Sequence, residues 1–133
     1  MIFRKKEEWP MKLGAFYVSL NVKDILESKK FYEAIGFKVF KGNISENWLI
    51  MKNDNTMMGL FQGMFHRNTM TFHPGWDSDA KKLDDFINIK KLRKIFKKRG
   101  LKIIFDAGTF DPASKTIIIS DPDGNPILFE QFV

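Results

Sequence analysis

Apolar and polar residues alternate along AFYVSLNV, residues 15–22. Phe16, Val18, Leu20 and Val22 fall on one side, and Tyr17, Ser19 and Asn21 on the other, the period-two pattern of a half-covered strand. Asp24 then opens a helix, with Glu27 spaced for a capping box. Ile25, Phe31, Tyr32 and Ile35 supply its expected apolar stripe, and Gly36 closes it as a C′ residue. FKVFKG reads as the next strand. NWLIMKN and TMMGLFQ read as a hairpin around Asn53, Asp54 and Asn55.

The second half repeats this order. NTMTFH is a strand, followed by the longer loop PGWDSDAKKLDDF. Asn88 caps a helix from about Ile89 to Arg99, and Gly100 ends it. LKIIFD follows, and KTIIIS and PILFEQF pair around the turn DPDGN. Gly36-Phe37-Lys38 and Gly100-Leu101-Lys102 mark the same joint twice. The expected fold class is therefore α+β, built from two βαβββ modules that bury their faces against each other. We assign residues 1–12 to an N-terminal arm and 13–133 to one domain. Module one covers about 13–63, module two about 69–133, and Gly63 to Asn68 link them.

Composition narrows the function classes. With 133 residues, 44% of them hydrophobic and 14% aromatic, the chain can build a core. It has no cysteine, which excludes disulfides and thiolate metal sites and fits a cytoplasmic protein. No apolar run approaches the roughly 20 residues of a membrane helix, and MIFRKKEEWP does not have the pattern of a signal peptide. The net charge of +6 raises nucleic acid as a partner. Much of that charge lies in IKKLRKIFKKRG, however. There Leu92, Ile95 and Phe96 form one stripe and the basic residues cover the rest, as on a solvated helix face. No aromatic residues are interleaved with the basic ones for base stacking.

Candidate chemistry is sparse. The two histidines are His66 and His73, with Asp77, Asp79, Asp84 and Asp85 nearby. A His73–Asp77 metal site is conceivable, but a closed site needs three or four ligands. The structural alternative is that His73-Pro74 ends a strand and His66 belongs to the linker. There is no GxSxG elbow, P-loop or GxGxxG. Ser19 shares a face with Tyr17, without a histidine placed to activate it.

FYVSLNVKDILESKKFYEAIGF resembles the opening of the vicinal-oxygen-chelate superfamily, which holds glyoxalase I, bleomycin- and fosfomycin-resistance proteins and extradiol dioxygenases. DPDGNPILFE resembles its closing hairpin. GLFQGMF, TFHPGWD and DPDGNPIL resemble a branch of small glyoxalase-like proteins. The resemblance implies two modules whose sheets curl into a cup around a small ligand. It also implies that chemically active members hold a divalent metal there, with His, Glu or Gln from four strands. Carried onto this chain, those four places fall on Tyr17, Gly59, Met70 and Leu128, with Met70 reached by counting back from Asp77 as Tyr17 is from Asp24. These are poor or impossible ligands: glycine and leucine offer no donor, and methionine prefers soft metals. No cofactor is therefore expected.

Residues 128 and 130 share a face of the last strand, and 127 and 129 share the other. If Leu128 faces the cup, Glu130 does too. The opposite register would bury a carboxylate under the helices at a cost of several kcal/mol. Glu130 and Tyr17 are thus expected to line one cavity.

Three functions compete. The first is metal-free binding of a small, partly apolar molecule by Tyr17, Ser19, Trp48, Met57, Gly59, Phe61, Met70, Leu128 and Glu130. The second is a lyase, isomerase or dioxygenase-type enzyme with a relocated metal or none, with Glu130 and Tyr17 as catalytic candidates. The third is an interaction module using the basic helix. The expected partners are a small ligand and a second copy of the chain, with Trp76 as the dimer contact; neither membrane nor nucleic acid is expected.

Overall fold

A computed structural model describes residues 11–133, so most of the proposed arm lies outside the described residues. Met11, at the end of that arm, and Leu13, just beyond it, pack against the second helix's core. Among the described residues, eight strands form one mixed sheet: β1 Ala15–Val22, β2 Lys38–Asn43, β3 Trp48–Asn53, β4 Thr56–Gln62, β5 Thr69–His73, β6 Ile103–Asp106, β7 Thr116–Ser120 and β8 Pro126–Glu130. Helix α1, Ile25–Ala34, and helix α2, Ile89–Lys98, occupy the same position in each βαβββ unit. The strand order is β2-β3-β4-β1-β5-β8-β7-β6, so each unit is a four-stranded half and β1 pairs antiparallel with β5 at the joint.

Pairing register sorts the side chains into two faces, because residues directly opposite point the same way. Leu49, Met51 and Leu60 pack with Ile25 of α1 on one side of the first half. Ile117, Ile119 and Phe129 pack with Ile89, Leu92 and Phe96 of α2 on the same side of the second. The other face carries Tyr17, Ser19, Thr71 and Leu128. These are joined by the registers Tyr17 with Thr71, Ser19 with Thr69, and Thr71 with Leu128.

Helix α1 departs from the expected stripe. Asp24 accepts hydrogen bonds from the Leu26 and Glu27 amides, but Glu27 pairs with Lys30 instead of closing a capping box. Ile25 is buried and Tyr32 half-buried, while Phe31 and Ile35 are 60% and 58% exposed. The buried row runs through 25, 28, 29 and 32, and Phe31 stands about 100° off it. Helix α2 meets expectation more closely. Asn88 caps it through the Lys91 amide, Leu92 and Phe96 are buried, and Ile95 packs against the same cluster.

One cation of α2 is structural. Arg93 reaches Asp106 at 2.7 Å and the Ser114 carbonyl at 3.1 Å, fastening α2 to the end of β6. Burial works to raise the Asp106 pKa. Hydrogen bonds from Arg93, the Gly108 amide and Lys97 outweigh it and hold the carboxyl below its usual range. Arg93→Ala would leave Asp106, 8% exposed, with the Gly108 amide and the longer Lys97 contact at 3.4 Å, and without its main cation. We expect chemical denaturation to show a loss of about 3 kcal/mol for this variant. A change within about 0.5 kcal/mol, typical of surface substitutions, would rule out a structural pair.

Candidate functional site

The face opposite the helices is closed over one half of the sheet and open over the other. Above the first half, Trp76 is buried, stacked on His73 at 3.8 Å and set edge-on to Phe40 at 5.8 Å. Phe132 stacks on Trp48 at 5.6 Å. Ala80 and Val133 complete this cover over Ala15, Tyr17, Ile50 and Met57. Trp76 therefore finds its burial within its own chain, and its expected role as a dimer contact is withdrawn. The long loop after β5 folds back instead of projecting outward.

His73 holds this cover in place. It is fully buried, and its Nε2 accepts the Phe132 amide at 2.7 Å. Burial among apolar groups lowers its pKa to about 4, and nearby Lys41 works in the same direction. Asp77 points its Oδ1 at the Asp79 and Lys81 amides, forming a turn. Among the described residues, no group of three or more His, Cys, Asp or Glu could hold a metal ion, so the conceivable His73–Asp77 site is not assembled.

Over the second half lies an open cavity of about 630 Å³. Leu128 and Glu130 of β8 form part of its floor, with Thr116 and Ile118 of β7 beside them. Phe61 closes the side toward the first half. Met64, Phe65, His66 and Arg67 of the linker, with Ile104 and Phe105 of β6, make the rim. The linker is fixed there because Arg67 donates to the Gly124 carbonyl and to Asn125 Oδ1 in the DPDGN turn. Asp121 organises that turn by accepting from the Asp123 and Asn125 amides.

The central polar feature is a hydrogen bond from the Tyr17 hydroxyl to Glu130 Oε1, 2.6 Å long. It spans β1 and β8 across β5. Burial, then the adjacent carboxylate, pushes the Tyr17 phenol well above its ordinary pKa, so it remains the donor. Burial also raises Glu130, while the Tyr17 hydrogen bond opposes that rise. Beside this pair, Ser19 Oγ and Thr71 Oγ1 lie 2.6 Å apart and satisfy each other.

The proposed ligand-binding residues thus divide. Phe61, Leu128 and Glu130 border the open cavity. Tyr17 touches it through Glu130. Ser19 and Met57 are buried in the sheet face, and Trp48 lies under Phe132. Gly59 stands opposite Ser19, where a Cβ would meet Phe61 Cε2 at 2.7 Å and Ser19 Oγ at 2.9 Å. A ligating side chain there would have to displace the Phe61 ring. Met70 was placed on the wrong face: it pairs with Val18 and Ile127, on the helix side. The count that reached it started from Asp77, but α2 is capped by Asn88, and a slip of one residue turns a strand over. Thr71 occupies the cup-side place. The four positions thus carry Tyr17, Gly59, Thr71 and Leu128, a set with two hydroxyls, both already hydrogen-bonded, and no imidazole or carboxylate.

Sequence reading missed Ile104, Phe105, Ile118 and the linker residues. A signal was present in KTIIIS: three consecutive isoleucines cannot all face α2. Ile117 and Ile119 do, and Ile118 lines the cavity.

The family model for the Glyoxalase/Bleomycin resistance protein/Dioxygenase superfamily matches residues 14–129. Among solved structures, the chain is similar to one described as an NAD-dependent benzaldehyde dehydrogenase from Legionella pneumophila, at 14% identity and a TM-score of 0.63. That match covers 87% of this chain and 97% of the other. It is also similar to a glyoxalase/bleomycin resistance protein/dioxygenase superfamily member from Vibrio splendidus 12B01, at 18% identity and a TM-score of 0.55, with the same coverage. At these identities the likeness is one of fold alone. No curated protein matches the chain.

The His73 geometry has a measurable consequence. The folded state holds this imidazole neutral to about pH 4, whereas the unfolded chain protonates it near 6.5. The unfolded state then binds more protons between those values, so stability present above pH 6.5 is lost as pH falls toward 4. The span corresponds to about 3 kcal/mol. Urea melts at stepped pH should show this slope in the native protein and lose it in His73→Asn; equal slopes in both would remove His73 as its source.

Proposed function

We propose, for a chain that belongs to the Glyoxalase/Bleomycin resistance protein/Dioxygenase superfamily, metal-free binding of a small, largely apolar molecule in the second-half cavity. The observation that carries this reading is the cavity itself. Its 630 Å³ falls within the roughly 300–1,000 Å³ of small-molecule sites, and its walls are apolar with a few polar groups. The donor set of Tyr17, Gly59, Thr71 and Leu128 supports the metal-free part, because it lacks the side chains that hold zinc, iron or manganese. The cover over the first half, built from Trp76 and Phe132, leaves the other half for a ligand.

A second reading is favoured by the Tyr17–Glu130 pair. Glu130 borders the cavity, its pKa is raised by burial, and it is held by a fixed donor. Such a carboxylate suits proton transfer in a metal-independent lyase or isomerase. Tyr17 would position it without taking part as a base.

The reading also takes residues 13–133 as one domain, sited in the cytoplasm on the strength of the cysteine-free sequence, and the protein as a homodimer. Exposed Met64, Ile104 and Phe105 at the mouth, with exposed Phe110 stacked on Phe105, offer a second copy an apolar seat. A nucleic-acid role for α2 rests on its basic face alone, from which Arg93 is withdrawn by Asp106. No helix among the described residues is long and apolar enough to cross a membrane.

Two measurements test the main reading. Elemental analysis after expression with added zinc, nickel, manganese and iron should find well below one equivalent of each per chain; a stoichiometric ion would sink the metal-free part. Calorimetric titration with 1-naphthylmethanol, a neutral aromatic probe, should show saturable binding. Ile118→Trp, which places an indole in the cavity, should abolish it with circular dichroism unchanged. Undiminished binding by that variant would put the site elsewhere.

A further inference from the structure

We infer that the cavity selects hydrophobic cations, molecules that join an aromatic or aliphatic body to a protonated amine, with Glu130 as the counter-charge. This rests on the binding reading above and names its ligand class.

The Tyr17 hydroxyl meets Glu130 Oε1 at 2.6 Å. Donation from the phenol favours the ionised form of this carboxyl, against burial, which raises its pKa. Tyr17 is 1% exposed and can donate nowhere else in this geometry. One carboxylate oxygen is thereby satisfied from the sheet. The other has no hydrogen-bond partner among the described residues, and Glu130 borders the cavity. An ionised carboxylate with one open oxygen at an apolar wall is costly unless a cation meets it.

The remaining surroundings fit the same class. Phe61 and Phe65, 4.9 Å apart, present aromatic rings to the cavity. Rings of this kind hold both an apolar body and a positive charge. The competing cation is Arg67, and its charge is already engaged. It donates to the Gly124 carbonyl and Asn125 Oδ1, and it lies close enough to Asp121 to help hold that carboxyl below its usual pKa. His66 stands at the exposed rim. Among the described residues, no other acidic side chain borders the cavity.

Binding of such a cation requires the ionised form of Glu130. It should therefore strengthen as pH rises through the Glu130 titration. Removing the Tyr17 hydroxyl takes away the bond that favours that form, so the midpoint should move to higher pH in Tyr17→Phe.

The test uses three probes on one ring system: 1-naphthylmethylamine, 1-naphthylmethanol and 1-naphthoic acid, titrated by calorimetry into the full chain at pH 7.5. The amine should bind about tenfold or more tighter than the alcohol, and the acid weakest. Glu130→Gln should collapse the preference for the amine, and Ile118→Trp should remove binding of every probe. Equal affinities for amine and alcohol, or a preference for the acid, would overturn the cation selectivity and leave the binding reading intact. Failure of all three probes to bind would overturn both. The pH midpoint in Tyr17→Phe provides a readout that a loss of packing would not move.

Discussion

The pairing of β1 with β5 is the constraint on which the rest depends. It joins two βαβββ halves into one eight-stranded sheet. It also fixes Tyr17 opposite Thr71, which in turn stands opposite Leu128. That row determines what each face carries. Slipping the joint by one residue would move Tyr17 under the helices and lift Phe16 and Phe72 onto the cup face. The hydrogen bond from Tyr17 to Glu130 is possible only in the observed register. It also ties the edge of the cavity to the first half of the chain.

The two halves share a design but not a use. In the first, the loop after β5 and the C-terminal residues return over the concave face and fill it with Trp76 and Phe132. In the second, the corresponding face stays open, walled by the linker and by β6 and β7. Filling one side removes space near Tyr17, Ser19 and Gly59, where the resemblance implied metal ligands. Those residues instead satisfy one another or pack, and Glu130 remains as the acidic group bordering the open side. The apolar volume and that one acid together define the site.

Much of this was legible in the chain. The repeated helix, glycine, apolar residue and lysine gave both units, and alternation along AFYVSLNV and PILFEQF assigned Tyr17, Leu128 and Glu130 to one face. The failures have local causes. Met70 was misplaced because Asp77 resembles a helix cap but forms a turn, with α2 beginning at Ile89. Phe31 was counted in the α1 stripe, although its position lies a quarter-turn from the buried row. Trp76 was read as exposed because no local pattern announces that a loop will fold back across another unit. That contact is long-range and depends on Phe40 and Phe132, far away in sequence. The linker's part in the cavity was hidden for the same reason, since it arises from Arg67 gripping the DPDGN turn.

The central claim is that the second-half cavity, floored by Leu128 and Glu130, is where a ligand sits. Neighbouring isoleucines on opposite faces of β7 give a direct reading: Ile118 lines the cavity, while Ile117 and Ile119 lie in the α2 core. Methyl-resolved NMR of isoleucine-labelled protein, titrated with 1-naphthylmethylamine, would report on each. The account predicts that Ile118 and Ile104 shift first and saturate together, with Ile117, Ile119 and Ile50 nearly still. Shifts centred on Ile50, or on the α2 core with Ile118 unmoved, would contradict it.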